Sequence, residues 1–427
     1  MKIYLDMVGC RLNQSELEEM ARQFTAAGHD LTGEMAEADL AVVNTCTVTV
    51  AAAADSRKII RRIARSGVEQ IAATGCWVTM EPEQARQLLG VTHVVENAEK
   101  SNLVSRILSI PEKELVSDSF ERIPGRRERT RAFIKTQDGC SHHCAFCVTT
   151  VARGCSVSTP AEVIIQQIQQ AEDAGIKEVV LTGVQLGSWG KDFTQSEHLS
   201  DLIEKILTQT SVPRLRLSSI EPWDVSPALI DLVGERRVLQ HLHLPLQSGS
   251  KETLRRMARA ITPKHFAALL QMIRSRLPEI ALTTDLITGF PVESDQEFQE
   301  SLDFVREMEF SGGHVFTYSA REGTPAADFP DQVPHPVRKE RNSRMREEIR
   351  KSELAYQSKF LDRKLEVLWE TAVETAPGSW HANGFTENYL RVSGKTDRDL
   401  WNEITPARLV KIEDSRIIGE VITEVKP

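Results

Sequence analysis

The stretch Ala132-Phe-Ile-Lys135-Thr-Gln-Asp138-Gly139-Cys140-Ser-His-His-Cys144-Ala-Phe-Cys147 decides how the rest of the chain is read. Residues 132–135 have the short apolar run of a buried strand, and Asp138-Gly139 reads as the turn that ends it. The three cysteines follow at once, spaced C-x3-C-x2-C. Thiolates at this spacing on one loop can wrap one face of a metal centre. On a four-iron cluster, three protein sulfurs leave one iron without a protein ligand, and that iron can hold a substrate or cofactor. The rival is zinc, with His142 or His143 completing a Cys3His site. A structural zinc loop usually draws its ligands from two separated pairs. This run is single and tight, and it follows a strand, so iron–sulfur is the expectation.

Downstream of the loop the same strand–helix alternation repeats. Further strands are predicted at 178–181, 214–217, 241–243, 282–286 and 314–316. Helices are predicted at 160–174, 199–208, 227–233, 263–276 and 295–308. Six βα units in roughly this length give a partial, open (β/α)6 barrel across 131–360, ending in helical sequence at 336–360. Upstream, 1–110 also alternates, with strands at 3–5, 40–43 and 70–73 and helices at 15–27, 51–65 and 83–89. That pattern is an open parallel α/β domain. The polar segment 111–130, with Pro111, Pro124 and Gly125, reads as a linker. From 361 to 427 the pattern changes to short strands at 366–369, 389–392, 407–411 and 417–421, with turns at Gly378, Gly384 and Gly394. This is a small all-β module. The fold class is therefore α/β, with three domains and a linker.

The chain has 427 residues, of which 41% are hydrophobic and 26% charged, as in ordinary globular proteins. Its first residues read as a strand, not as a signal peptide, and no run approaches the length of a membrane span. A cytoplasmic protein without a membrane partner is expected. The net charge of −9 disfavours nonspecific nucleic-acid binding. Local basic runs depart from it: Arg57, Lys58, Arg61, Arg62 and Arg65; then Arg122, Arg126, Arg127, Arg129, Arg131 and Lys135; then a mixed run from Arg338 to Lys351. For each run the alternative is a solvated helix face. The cysteine count, 7, is odd, and none lies beyond Cys155. That argues for metal or catalytic use over disulfides.

Cys10, Cys46 and Cys76 each follow one of the three amino-terminal strands. In a parallel sheet the loops at the carboxyl ends share one edge, so three thiols far apart in sequence can meet there. They could hold a second cluster. The alternative is three independent buried cysteines.

The loop Cys140–Cys147 after the first strand of a partial barrel resembles the radical S-adenosylmethionine superfamily. Gly9-Cys10-Arg11-Leu12-Asn13-Gln14-Ser15-Glu16, Val43-Asn44-Thr45-Cys46-Thr47-Val48 and Gly75-Cys76 resemble the methylthiotransferases within it. The resemblance continues through Leu181-Thr182-Gly183-Val184-Gln185, Ser218-Ser219-Ile220-Glu221-Pro222, His241 to Ser250, Ile287 to Pro291 and Tyr318 to Ala327. It implies two 4Fe-4S clusters: one on Cys140, Cys144 and Cys147, which binds and cleaves S-adenosylmethionine, and an auxiliary one on Cys10, Cys46 and Cys76. It implies that the backbone around Phe146 lies near the adenine. It also implies a partner tRNA bound at its anticodon region, a one-electron donor such as flavodoxin or ferredoxin, and a sulfur source. The carboxyl-terminal module is similar to the RNA-binding TRAM domain.

Glu221, just after a barrel strand, is placed to bond a ribose hydroxyl. Gln247, at the end of the next strand, either faces the cofactor or stabilises its loop. His241 and His243 share a face of their strand and read as core or pocket-wall residues rather than metal ligands. The stretches at 244–250 and 314–319 look most like the branch that converts threonylcarbamoyladenosine in tRNA to its 2-methylthio derivative. Sister branches act on isopentenyladenosine in tRNA and on an aspartate of a ribosomal protein. A zinc-stabilised, non-catalytic RNA-binding protein is the reading from another class. Two features depart from the family. The motif Arg153-Gly154-Cys155-Ser-Val-Ser-Thr159 lacks a second arginine after its glycine. The last module is acidic, so RNA binding there would rest on shape, stacking and a local basic face. Trp369, Trp380, Phe385, Tyr389 and Trp401 are the stacking candidates, with core packing the rival. Arg126, Arg127 and Arg129 lie on an expected path of RNA toward the radical site.

Overall fold

The computed structural model describes residues 1–115 and 130–422. Most of the predicted linker, with Arg122, Arg126, Arg127 and Arg129, lies outside the described residues.

The amino-terminal sheet has five parallel strands, in the order Asp30–Thr32, Lys2–Met7, Leu40–Thr45, Gln70–Gly75, Val91–Val95. The three predicted strands are its centre, and Ile3, Leu5, Leu40, Ala41, Val42, Val43, Ile71, Ala72 and Ala73 carry them through the core. Helix Arg11–Ala26 starts earlier than predicted because Cys10 is already its extended N-terminal cap. Helix Val50–Arg65 is capped by the Thr49 side chain, which accepts from the Ala52 N–H.

The central region is six parallel strands in two groups of three. Arg131–Lys135, Glu178–Thr182 and Arg214–Leu217 form the first group. His241–His243, Ala281–Thr288 and Gly312–Thr317 form the second. Single bridges from Leu215 to Val238 and from Ser219 to His243 join them into one open barrel. Alternate residues (Ala132, Ile134, Val179, Leu181, Leu215, Leu242) pack outward beneath the helices. The other face carries Arg131, Phe133, Val180, Arg216, His241, His243 and Asp285. An inner face this polar cannot close as a packed core, so it stays a lumen. Helices Pro227–Val233, Pro263–Arg276 and Asp295–Met308 start where Ser226, Thr262 and Ser294 cap them.

The last module is a closed five-stranded barrel, in the order Lys364–Ala376, Ser379–Thr386, Arg391–Thr396, Arg416–Val421, Ile404–Glu413. Its centre is Trp369, wholly buried among Val367, Val392, Leu400 and Leu409. The predicted strand at 389–392 begins only at Arg391, because Tyr389 turns back at φ 64°. The module sits at the amino-terminal ends of the central strands. Arg214 donates to the carbonyls of Phe385 (3.1 Å) and Glu366 (3.0 Å), and Arg216 lies 4.5 Å over the Tyr389 ring. No helix among the described residues is long and apolar enough to cross a membrane.

Candidate functional site

Cys10, Cys46 and Cys76 stand at the carboxyl ends of three adjacent strands. Cys46 directly follows Leu40–Thr45, and Cys76 directly follows Gln70–Gly75. The edge is tightly built. A Cβ on Gly9, whose φ is +118°, would lie 2.8 Å from Cys46 Cβ and 3.0 Å from its sulfur. Asn13 Nδ2 ties the Val8 carbonyl (2.8 Å) to the Thr45 carbonyl (3.0 Å). Burial pushes the Cys46 thiol up to about 11, and charge on Cys76 or Cys10 pushes the same way, so the three sulfurs share one neighbourhood. All three are free thiols. A buried thiol such as Cys46, which resists ionisation alone, is stabilised as a thiolate by a bound metal centre, and three free thiols at one sheet edge are a donor set that fits an iron–sulfur cluster.

Gly75 gives a direct check on this edge. Its φ is +98°, and a Cβ there would stand 2.6 Å from Asn44 Oδ1 and closer still to the Thr45 backbone. Gly75→Ala should cost about 2–4 kcal/mol of stability and reduce iron retention. Urea denaturation and iron analysis measure both; parental values would show that the close approach is not required.

The second triad lies on the loop after strand Arg131–Lys135. The loop is pinned from several sides: the Cys140 N–H donates to the Gly154 carbonyl (3.0 Å), the Ala145 N–H to Met257 (2.9 Å), and the Ala326 N–H to Ala145 (2.8 Å). Gly139, at φ +67°, runs against the Cys155 carbonyl, where no side chain fits. Burial pushes the Cys140 thiol up to about 11 and raises that of Cys144, against the pull of Arg259, 3.7 Å from the Cys144 sulfur. This donor set also fits a cluster. His142, a candidate zinc ligand, tilts against Trp223 at 4.9 Å, and His143 is exposed.

Around this loop, Phe146 is half-buried against the barrel core. Glu221 is held by Arg259 at 3.0 and 2.5 Å, and Arg259 also donates to the Pro245 carbonyl at 2.7 Å. Any ribose hydroxyl would therefore meet a carboxylate already fixed in direction. Gln247 has φ +72°, a backbone rarely adopted by a residue with a side chain, and its peptide is held between Asp285 and Ile287. Such strain at a strand end fits a functional position. Gln185, which was not singled out from sequence, lies 3.3 Å from the Cys140 sulfur and donates to Asp224 at 3.1 Å.

A cavity of about 760 Å³ occupies the lumen. Arg11, next to Cys10, borders it on one side, and Ser218 and Ser219, close to Glu221, on another. Buried polar atoms without partners face it: Ser218 Oγ, His241 Nδ1, Asp285 Oδ1, Ser311 Oγ and Gln357 Oε1. Such atoms mark a place where a polar ligand belongs. His241 and His243 are pocket wall, as expected, both bonded to Thr283 Oγ1 at 2.9 and 3.0 Å. Burial holds the His241 imidazole well below its usual range, hence neutral. Of the aromatic candidates, Trp369 is core. Phe385 and Tyr389 stack on each other at 4.9 Å and line the cavity, with Tyr389 also stacked on His241 at 4.7 Å.

The sequence matches two families: the radical SAM superfamily over residues 134–305, and an uncharacterized protein family, UPF0004, over residues 2–96. It is 34% identical to the threonylcarbamoyladenosine tRNA methylthiotransferase MtaB of Bacillus subtilis, over 98% of this chain and 97% of that protein. It is 30% identical to the tRNA-2-methylthio-N(6)-dimethylallyladenosine synthase of Geobacillus kaustophilus, over 99% of this chain and 82% of that protein. Its fold is similar to that of a radical S-adenosylmethionine methyltransferase, TsrM, from Kitasatospora setae, solved with cobalamin and a [4Fe-4S] cluster. That TM-score is 0.57 at 14% identity, over 76% of this chain and 77% of the other.

Proposed function

Because this chain belongs to the radical S-adenosylmethionine methylthiotransferase family, we propose that it places a methylthio group on C2 of N6-threonylcarbamoyladenosine in tRNA. It is a radical S-adenosylmethionine enzyme that uses two 4Fe-4S clusters. The expectation of a non-catalytic zinc protein is overturned by that membership.

The observation that carries the reading is the lumen cavity, bordered by Arg11, next to Cys10, and by Ser218 and Ser219, shortly before Glu221, whose partner Arg259 lies 3.7 Å from the Cys144 sulfur. Cys140, Cys144 and Cys147 are assigned to the radical cluster, and Cys10, Cys46 and Cys76 to the auxiliary one. When bound, the clusters and S-adenosylmethionine supply the radical and sulfur chemistry that no side chain provides. The chain's own part is to hold and shield the reactants. Arg259 fixes Glu221 near the loop, Gln185 stands at Cys140, and Phe385, Tyr389 and Leu390 of the small barrel wall one side of the lumen.

The acceptor's threonyl group carries a carboxylate, and the dimethylallyl group of the sister substrate does not. Arg11, Arg391 and Arg416 line the cavity without an ion-pair partner among the described residues. Three acids share the wall: Asp285 lies 3.2 Å from His243, burial raises the Glu353 carboxyl, and the exposed Asp414, two residues before Arg416, offsets part of the arginine charge. A base with an anionic arm fits this wall better than one with an apolar arm. The reading is completed by the anticodon region of tRNA as partner, a one-electron donor such as flavodoxin or ferredoxin, a sulfur source, and a cytoplasmic setting.

Nucleoside profiling of a deletion strain tests it. Threonylcarbamoyladenosine should accumulate, its methylthio derivative should vanish, and the gene in trans should restore it. An unchanged derivative would overturn the substrate; concurrent loss of the methylthio-isopentenyl nucleoside would assign the sister reaction.

A further inference from the structure

Each cysteine of the first triad has its own hydrogen-bonded tether to the barrel that carries the second. Asn13, three residues after Cys10, accepts from Arg153 Nη2 at 2.7 Å through Oδ1. Thr47, next to Cys46, is bonded by Arg321. Asn97 Nδ2 lies 3.5 Å from the Cys76 sulfur and donates to the Ala152 carbonyl at 2.7 Å. Two of the three tethers end on helix Thr149–Arg153, which starts two residues after Cys147.

The Arg153 tether is the centre of a buried ionic cluster. Its guanidinium is 3% exposed and meets Glu16 at 2.9 Å and Asp138 at 2.8 Å. Glu16, 4% exposed, also takes Lys100 at 2.8 Å and the Asn44 amide at 3.0 Å. Burial alone would push the Glu16 carboxyl up; Lys100, Arg153 and Lys135 outweigh it and hold it well below the usual range. Every member but Lys100 is close to a cysteine in sequence. Glu16 and Asn13 lie on the helix after Cys10, and Asn44 on the strand before Cys46. Asp138 precedes Cys140, and Arg153 ends the helix after Cys147.

An apolar junction of this size would tolerate sliding, because dispersion contacts are not directional. A guanidinium fork shared by a carboxylate and an amide has one good geometry. Buried charge of this kind adds little net stability, but a misaligned state leaves it unpaired at large cost. We propose that the Arg153–Glu16 cluster sets the relative position of the two cysteine triads, with Arg153 a positioning residue for transfer between them. The proposal rests on assigning the triads to the two clusters.

The test uses full-length protein carrying Arg153→Gln and Arg153→Lys, reconstituted anaerobically beside the parent. Three readouts are taken: iron content, methylthio product formed per 5′-deoxyadenosine released, and hydrogen exchange of the unreconstituted chain. Arg153→Gln should keep parental iron, lower the product ratio by about tenfold or more, and speed exchange in helices Arg11–Ala26 and Thr149–Arg153. Arg153→Lys keeps the charge but loses the fork, and should fall between. Parental ratio and parental exchange in Arg153→Gln would overturn the proposal. So would loss of iron, because Arg153 would then serve to build the loop. If the parent itself makes no methylthio product, the functional reading has failed, and the exchange data alone decide on Arg153.

Discussion

Replacing Cys10, Cys46 and Cys76 together by alanine is expected to abolish methylthio transfer, while the reduced protein still cleaves S-adenosylmethionine to 5′-deoxyadenosine. The expectation follows from where the side chains come from. Gln185 and Arg259, which reach the sulfurs of Cys140 and Cys144, and Glu221, bonded to Arg259, all belong to the central barrel, as does Gln247. Among the described residues none of the three cysteines of the first triad is hydrogen-bonded to them. Cys46 and Cys76 are buried at the other domain's sheet edge, so the change also empties apolar volume there. Alanine at two small buried thiols costs stability, and the variant is compared at a temperature where it stays folded. Product analysis on a tRNA substrate, with 5′-deoxyadenosine measured in the same sample, reads both halves. Methylthio transfer at the parental rate would remove the auxiliary role from these cysteines.

The parts legible in the sequence share a physical trait: their determinants are local. Helices Pro227–Val233, Pro263–Arg276 and Asp295–Met308 were bounded correctly because a capping hydroxyl and, in two cases, a proline mark their first turn. The central strands of both sheets are apolar runs between turns. The parts missed depend on partners elsewhere in the chain. Asp30–Thr32 and Val91–Val95 are edge strands, short and mostly half-exposed, and their place in the sheet depends on a partner on one side only. Ser379–Thr386, which contains His381, Asn383 and Gly384, becomes a strand only because it pairs on both sides in a closed barrel.

The same division runs through the site. The cysteines stand out because loop spacing and strand ends are sequence features. Arg153 to Glu16, Arg321 to Thr47 and Arg259 to Glu221 do not, since each joins elements that only tertiary packing brings together. The motif around Arg153 is legible as one short of an arginine; the partners of its guanidinium, Glu16 and Asn13, come from a helix of another domain and are not. The basic residues Arg126, Arg127 and Arg129, expected on the path of RNA, lie outside the described residues.

Changing Cys140, Cys144 and Cys147 together to alanine should halve the iron of reconstituted protein, from about eight atoms to about four, and abolish cleavage of S-adenosylmethionine. The two effects have separate origins, which makes the pair informative. Iron is lost because the loop keeps no other ligand set: His142 is turned against Trp223, and His143 points to solvent. The loop itself should persist, because backbone bonds from Cys140 to Gly154, from Ala145 to Met257 and from Ala326 to Ala145 hold it, and none uses a sulfur. The first triad sits on another sheet and keeps its own tethers through Asn13, Thr47 and Asn97, so its share of iron should stay. Iron analysis with electron paramagnetic resonance of the reduced protein separates the two clusters. Full loss of iron would mean that the triads assemble as one unit, and the tethers would then carry assembly as well as alignment. Undiminished iron would mean that these three sulfurs hold no cluster.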